Sequence, residues 1–204
     1  MTLDEVFNSI VVLTTEPRFD RRYLFLRDSE FTFSWFNAIY DKDPHRSFNL
    51  SQQAIIQDFV DSDADNILVM EDDADYRHGH LLDTVMQELP DDWDMLYLGA
   101  NVKPHDNIRD WEWHSEHIAR IYNAYCTHAV AYRRPVARYI AEHFKAQQMY
   151  DAFLDEQVLH RFKAYITVPF MSLQRPTMSS LWDRTVDYTD TFQVSEYLLM
   201  QSKT

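Results

Sequence analysis

The stretch NILVMEDDADY, residues 66–76, runs four apolar residues into Glu71, Asp72, Asp73 and Asp75. Carboxylates this close repel one another and raise one another's pKa. Water, a cation or arginine side chains must offset that repulsion. Hard cations take carboxylate oxygens, and Mg²⁺ or Mn²⁺ is commonly held by one or two carboxylates together with substrate phosphates. On an extended chain Glu71 and Asp73 point one way and Asp72 the other, so one face can offer two carboxylates to one ion. A solvated acidic turn is the other reading of the same residues.

Other residues could also do chemistry. Asp61, Asp63, Asp65 and Asp72 match positions 1, 3, 5 and 12 of an EF-hand loop, but Asn66 stands where glycine makes the sharp turn and the second half is apolar. Arg18, Arg21 and Arg22 suit phosphate, or form a solvated basic turn. Trp111, Trp113 and His114 suit a sugar ring; His114 and His117 also have zinc-pair spacing, without an evident third ligand. Cys126 lies among small and apolar residues, as an inert thiol does. Asp151 and Asp155 share a helix face at i, i+4 spacing, as surface acids can.

The elements that must position these groups alternate. Strands are expected at 10–13, 31–40, 67–70, 95–99, within 118–132 and at 164–170, with Pro17 ending the first. Helices are expected from an N-cap at Ser51, then at 80–89, 135–144 and 151–162, with loops at 41–47 and 101–117. This is an α/β pattern with a mostly parallel sheet, and ligands in such sheets sit beyond the carboxyl ends of strands. Glu71 lies at one such end.

Composition bounds the function. At 46% hydrophobic and 15% aromatic, the 204-residue chain can bury a real core as one domain. Two glycines, Gly79 and Gly99, exclude a glycine-rich phosphate loop. A formal net charge of −14 disfavours a nucleic acid acceptor. One cysteine allows no internal disulfide, and neither a signal peptide nor a membrane span is visible, so the expected location is cytoplasmic.

The order of these pieces resembles glycosyltransferase family 25, the lipopolysaccharide-type and collagen-type galactosyltransferases with a GT-A fold. The resemblance rests on IVVLTTEPRFDRR, LSQQAIIQDFVDSDADNILVMEDDA, DDWDMLYLGANV, AYCTHAVAYRRPVARYI and YDAFLDEQVLHRFKAYITVPFMSLQRPTMSS, covering roughly residues 8–182. The chain departs from the family where Thr14 and Thr15 replace an asparagine, at Asn49, Ser51 and Gln52, and after the final serines, where the nearest acid is Asp183.

The resemblance implies one GT-A domain over residues 1–204 with an irregular tail from about 183. It implies an inverting, metal-dependent transfer of a sugar from a nucleotide-diphosphate sugar, a UDP-sugar foremost, to an acceptor hydroxyl. Glu71 and Asp73 would hold Mn²⁺ or Mg²⁺. Thr14, Arg18, Arg21, Arg22, Asp72, Gln174, Ser179 and Ser180 would face the donor, and Trp111, Trp113 and His114 the glycan or other acceptor. Asp151, with Asp155 as second candidate, would be the base. The rival reading is a calcium- or carbohydrate-binding module without turnover.

Overall fold

The computed structural model describes residues 1–15, 18–103, 110–179 and 184–203; Pro17, Ser180 and Asp183 lie outside them. In chain order the elements are α1 (Leu3–Val6), β1 (Ser9–Thr14), α2 (Phe19–Asp28), β2 (Ser34–Asn37), α3 (Pro44–Asp61), β3 (Asn66–Glu71), β4 (Ala74–Tyr76) and α4 (Leu82–Glu88). There follow β5 (Met95–Tyr97), β6 (Trp111–Trp113), β7 (Ile118–Ile121), β8 (Ala129–Arg133), α5 (Arg134–His143) and α6 (Tyr150–Phe153). A π-helical turn at Leu154–Val158 leads to β9 (Ala164–Thr167), β10 (Ser172–Gln174), β11 (Thr177–Ser179), β12 (Arg184–Val186) and α7 (Thr189–Gln201).

Among the described residues eight strands form one sheet in the order β2-β1-β3-β8-β5-β9-β7-β6. Six run in one direction, and β8 and β7 run against them. This is the α/β architecture with a large, mostly parallel sheet that the alternation predicts. β4 pairs with β10, and β11 with β12, as two small antiparallel ribbons. No helix among the described residues is long and apolar enough to cross a membrane.

Side-chain alternation in β3 divides the core. Ile67 and Val69 pack with Ile55, Ile56 and Phe59 of α3; Leu68 and Met70 pack on the other side with Phe25 of α2. So α2 and α3 cover opposite faces. From β1 the chain winds through α2 to β2 on one side, then through α3 to β3 on the other. That reversal leaves a crevice beyond the carboxyl ends of β1 and β3, where α/β sheets bind ligands. Register places Thr14 opposite Asn37 and Leu13 opposite Glu71.

Two expectations are corrected. α3 begins about two turns before Ser51: Asp43 caps it, its carboxylate accepting His45 N–H at 3.0 Å, and Pro44 follows at the first helical position. Ser51 is instead buried in mid-helix, where its hydroxyl donates to Ser47 O at 2.7 Å and accepts Ile39 N–H at 2.9 Å. The tail beyond residue 183 is not irregular. It forms β12 and the 13-residue α7, whose Phe192 and Leu199 enter the core. Packing of these two apolar residues fixes a helix that the local periodicity does not announce.

Gly99 follows β5 where the chain presses on β10. A Cβ there would meet Ser172 O at 2.1 Å, and Ser172 N–H is bonded to Leu98 O at 2.8 Å, so the backbone cannot withdraw freely. Gly99→Ala is expected to destabilise the protein by about 3 kcal/mol, the upper range for overpacking. Chemical denaturation would check it; a midpoint within experimental error of wild type would contradict the tight approach.

His128 is wholly buried just before β8, against Phe192 at 5.0 Å, with Nε2 3.1 Å from Ser172 O and Nδ1 without a partner. Burial lowers its pKa to about 4. In the unfolded chain histidine titrates near 6.5. Between these values the unfolded chain binds a proton that the folded one refuses. The stability contribution is therefore complete above pH 6.5 and is lost as pH falls towards 4, about 3 kcal/mol in all. His128→Gln keeps a donor for Ser172 O and should flatten the dependence of the denaturation midpoint between pH 7 and 4.5. Equal slopes in variant and wild type would refute this.

Candidate active site

The carboxylates follow from the end of β3. Glu71 is still in the strand, its N–H bonded to His128 O at 2.9 Å. The chain then turns at Asp72 and Asp73, and Asp72 N–H reaches Leu13 O at 3.0 Å. The turn ends the strict alternation expected of an extended chain. Asp72 and Asp73, both 3% exposed, share Arg21 of α2: its Nη1 lies 2.9 Å from Asp72 Oδ1 and 3.2 Å from Asp73 Oδ2. Asp72 Oδ2 also accepts the Thr14 hydroxyl at 2.7 Å. Asp73 Oδ2 accepts Gln174 Nε2 at 3.2 Å, while Asp73 Oδ1 is buried with no partner.

Arg21 is held from behind by β11. Its Nε donates to Thr177 Oγ1 at 3.1 Å and its Nη2 to Met178 O. Arg18 binds the same two residues, at 3.1 Å to Thr177 Oγ1 and 2.7 Å to Met178 O. Arg22 turns to β1 and β2, donating to Thr14 Oγ1 at 3.1 Å and to Asn37 Oδ1, with its guanidinium over Trp35. The three arginines thus follow three duties, and the helix they start was legible only as a basic stretch.

Glu71 is half-buried, and its side chain makes no hydrogen bond among the described residues. Burial, then the charges of Asp73 and Asp72, push its carboxyl well above the ordinary range. Burial also raises Asp73, against the pull of Arg21. An orphaned oxygen on Asp73 and an uncommitted Glu71 form a donor set that suits a hard dication completed by substrate phosphates. Among the described residues no group of three or more His, Cys, Asp or Glu side chains forms a metal cluster.

An open cleft of about 640 Å³ lies over this cluster, lined by Thr14, Thr15, Arg21, Glu71, Asp72, Asp73, Gln174 and Ser179, with Ala38 after β2 and Pro44, Ser47 and Phe48 of α3. A second lobe of about 680 Å³ shares Phe48, Glu71, Gln174 and Ser179 with the first. Asp151 lines this lobe with His45, Asn49, Cys126, Thr127, Met149 and Tyr188. Asp151 is one of the charges felt at Glu71. Its Oδ1 accepts Ala152 N–H at 2.9 Å. Tyr150, beside it, is fully buried and bonded to Tyr132 by their hydroxyls at 3.3 Å, which anchors α6.

The structure therefore gathers Glu71, Asp72, Asp73, Thr14, Arg21, Gln174, Ser179 and Asp151 around one bilobed cleft. Arg18 and Arg22 stand behind its wall. Asp155 does not line it: its carboxylate accepts Ala124 N–H and the Tyr125 hydroxyl, both at 3.1 Å, and so fixes the loop before β8. Both Asp155 oxygens are committed to that loop, so it does not join Asp151 on the wall of the second lobe. Cys126, in that loop, has a left-handed backbone (φ 72°). Burial, with the charges of Glu71 and Asp151, pushes its thiol up to about 12, so it stays protonated.

Trp111, Trp113 and His114 lie elsewhere. β6 is the far edge strand, five strand positions from β3, or about 24 Å. The Trp111 and Trp113 indoles donate to Ser202 Oγ at 2.6 and 3.1 Å and hold the end of α7; His114 packs on Tyr165. The first turns of α3 were missed as cleft wall. The Asp43-Pro44 pair was the available signal.

No family model and no curated protein sequence matches this chain. Solved structures are similar in overall path. A glycosyltransferase involved in glycosylation of the major capsid of PBCV-1 aligns at TM-score 0.47 and 8% identity, covering 78% of this chain and 80% of that one. An apo UDP-glucose pyrophosphorylase aligns at 0.45 and 9%, covering 96% and 82%. A mutant Drosophila β-1,4-galactosyltransferase 7 in complex with manganese, UDP-Gal and xylobiose aligns at 0.41 and 12%, covering 89% and 73%. Likenesses of this size assign no residue a role.

Proposed function

We propose that the protein is a nucleotide-sugar glycosyltransferase of the family 25 type, a single GT-A domain acting with inversion on a UDP-sugar and an acceptor hydroxyl. The observation that supports this reading best is the position of Glu71. It stands where the two lobes meet, with the Arg21–Asp72–Asp73 cluster on one side and Asp151 on the other.

Glu71 and Asp73 would hold a divalent cation, Mn²⁺ or Mg²⁺, which when bound neutralises charge on the leaving diphosphate. Thr14, Gln174 and Ser179 would bind the donor in the first lobe. The amino end of α3, at Pro44 and Ser47 on the wall of that lobe, adds its dipole to the phosphate side. Asp151 would take the proton of an acceptor hydroxyl held in the second lobe. The acceptor oxygen bonds to the anomeric carbon from one side. The carbon–oxygen bond to the diphosphate breaks on the other, and its electron pair leaves with the phosphate, so configuration inverts.

Thermal denaturation with UDP, GDP or CDP, each with and without Mn²⁺, tests the reading. A shift of several degrees with one nucleotide, present only with the cation, is expected. No shift with any nucleotide would end this proposal. A cation-dependent shift without hydrolysis or transfer of the sugar nucleotide would favour a binding module.

A further inference from the structure

The carboxylate cluster already contains a cation of the protein's own. Arg21 is 11% exposed and spends one terminal nitrogen on two carboxylates at once, Asp72 and Asp73. The two acids are not equally committed. Asp72 uses both oxygens, on Arg21 and on Thr14. Asp73 receives Arg21 at the longer distance, 3.2 Å, and keeps Oδ1 bare though the residue is 97% buried by its 3% exposure. Three carboxylates, Glu71, Asp72 and Asp73, face one guanidinium. With all three ionised, two negative charges would remain, and one divalent cation would balance them.

We propose that Arg21 is the resident counter-ion of this cluster and competes with a divalent cation for Asp73, so that its guanidinium sets how tightly the site takes the cation. The inference rests on the cation role proposed above for Glu71 and Asp73. A dication on Asp73 Oδ1 and a guanidinium on Oδ2 share one carboxylate, and their charges repel across its width in a poorly hydrated place. Arg21 can yield Asp73 and still keep Asp72, Thr177 and Met178. The donor's diphosphate adds negative charge that both cations can share. The arrangement therefore favours weak cation binding without nucleotide and tighter binding with it, so the cation and donor enter together.

The test is calorimetric titration with Mn²⁺ alone, then in the presence of UDP, on wild type, Arg21→Gln, Arg21→Lys and Arg18→Gln. Arg21→Gln should bind Mn²⁺ alone at least about tenfold more tightly than wild type. Arg21→Lys retains the charge and should stay within a few-fold. Arg18 shares Thr177 and Met178 but touches none of the three acids, so Arg18→Gln should leave the affinity unchanged. Equal or weaker Mn²⁺ binding by Arg21→Gln overturns the inference and leaves the cation site standing. Absence of Mn²⁺ binding from wild type and Arg21→Gln, with UDP present as well, removes the cation reading itself and the inference with it. Should Arg21→Gln fail to fold, the wild type decides: the Arg21 Nε–H proton resonance, assigned by its loss in Arg21→Lys, should move when Mg²⁺ is added. A resonance that stays in place under saturating Mg²⁺ overturns the inference.

Discussion

Asp151→Asn is expected to cut sugar transfer by roughly 10²–10⁴-fold while cation and nucleotide binding stay as in wild type. Asp151 lines the lobe opposite the Asp72–Asp73 side, and α6 is anchored there by buried Tyr150. One carboxylate oxygen accepts Ala152 N–H, and the side chain lines the lobe. The amide keeps the shape and the Ala152 bond but cannot take a proton. The loss should therefore fall on kcat with little change in donor affinity. Asp155→Asn makes the contrast. Both Asp155 oxygens accept bonds, from Ala124 N–H and the Tyr125 hydroxyl, and an amide supplies one acceptor where two are used. That variant should lose stability and, through its loop, disturb kcat and KM together. Transfer by Asp151→Asn within a few-fold of wild type would move the base elsewhere.

Asp73→Asn is expected to weaken cation-dependent nucleotide binding on the order of a hundredfold or more, since one of the two carboxylates proposed to hold the ion is gone. The fold should survive. Arg21 keeps Asp72, Thr177 and Met178, and an amide oxygen can still accept from Gln174. Asp73 is also the largest of the charges raising Glu71, so its removal eases crowding in the protein without nucleotide. Calorimetry of UDP with and without Mn²⁺ reads the effect directly. Unchanged Mn²⁺-dependent affinity would exclude Asp73 as a ligand and return the cluster to an arginine-neutralised turn.

By itself the sequence determined the alternation of strands and helices, the buried β3 and its acidic end. Its crowded charges also marked Glu71–Asp73, while Thr14, Gln174 and Asp151 came from the resemblance to family 25. Those features are local: apolar runs, turn residues and neighbouring charges can be read within a few positions. It was silent on distance. Residues 111–114 look like a sugar platform because aromatic and imidazole rings stand side by side, yet β6 is the far edge of the sheet and the indoles hold α7. Strand order is a matter of which apolar faces bury one another, and no short stretch records it. The helical α7 depended likewise on burial of Phe192 and Leu199, whereas the early start of α3 was legible locally in Asp43 and Pro44. The extended-chain rule separating Asp72 from Asp73 gave way because the chain turns after Glu71. Only the tertiary structure brought Arg21, some fifty residues earlier, between these two acids. A guanidinium and carboxylates attract through space, and their partners are chosen by the packing of α2 against β1 and β11.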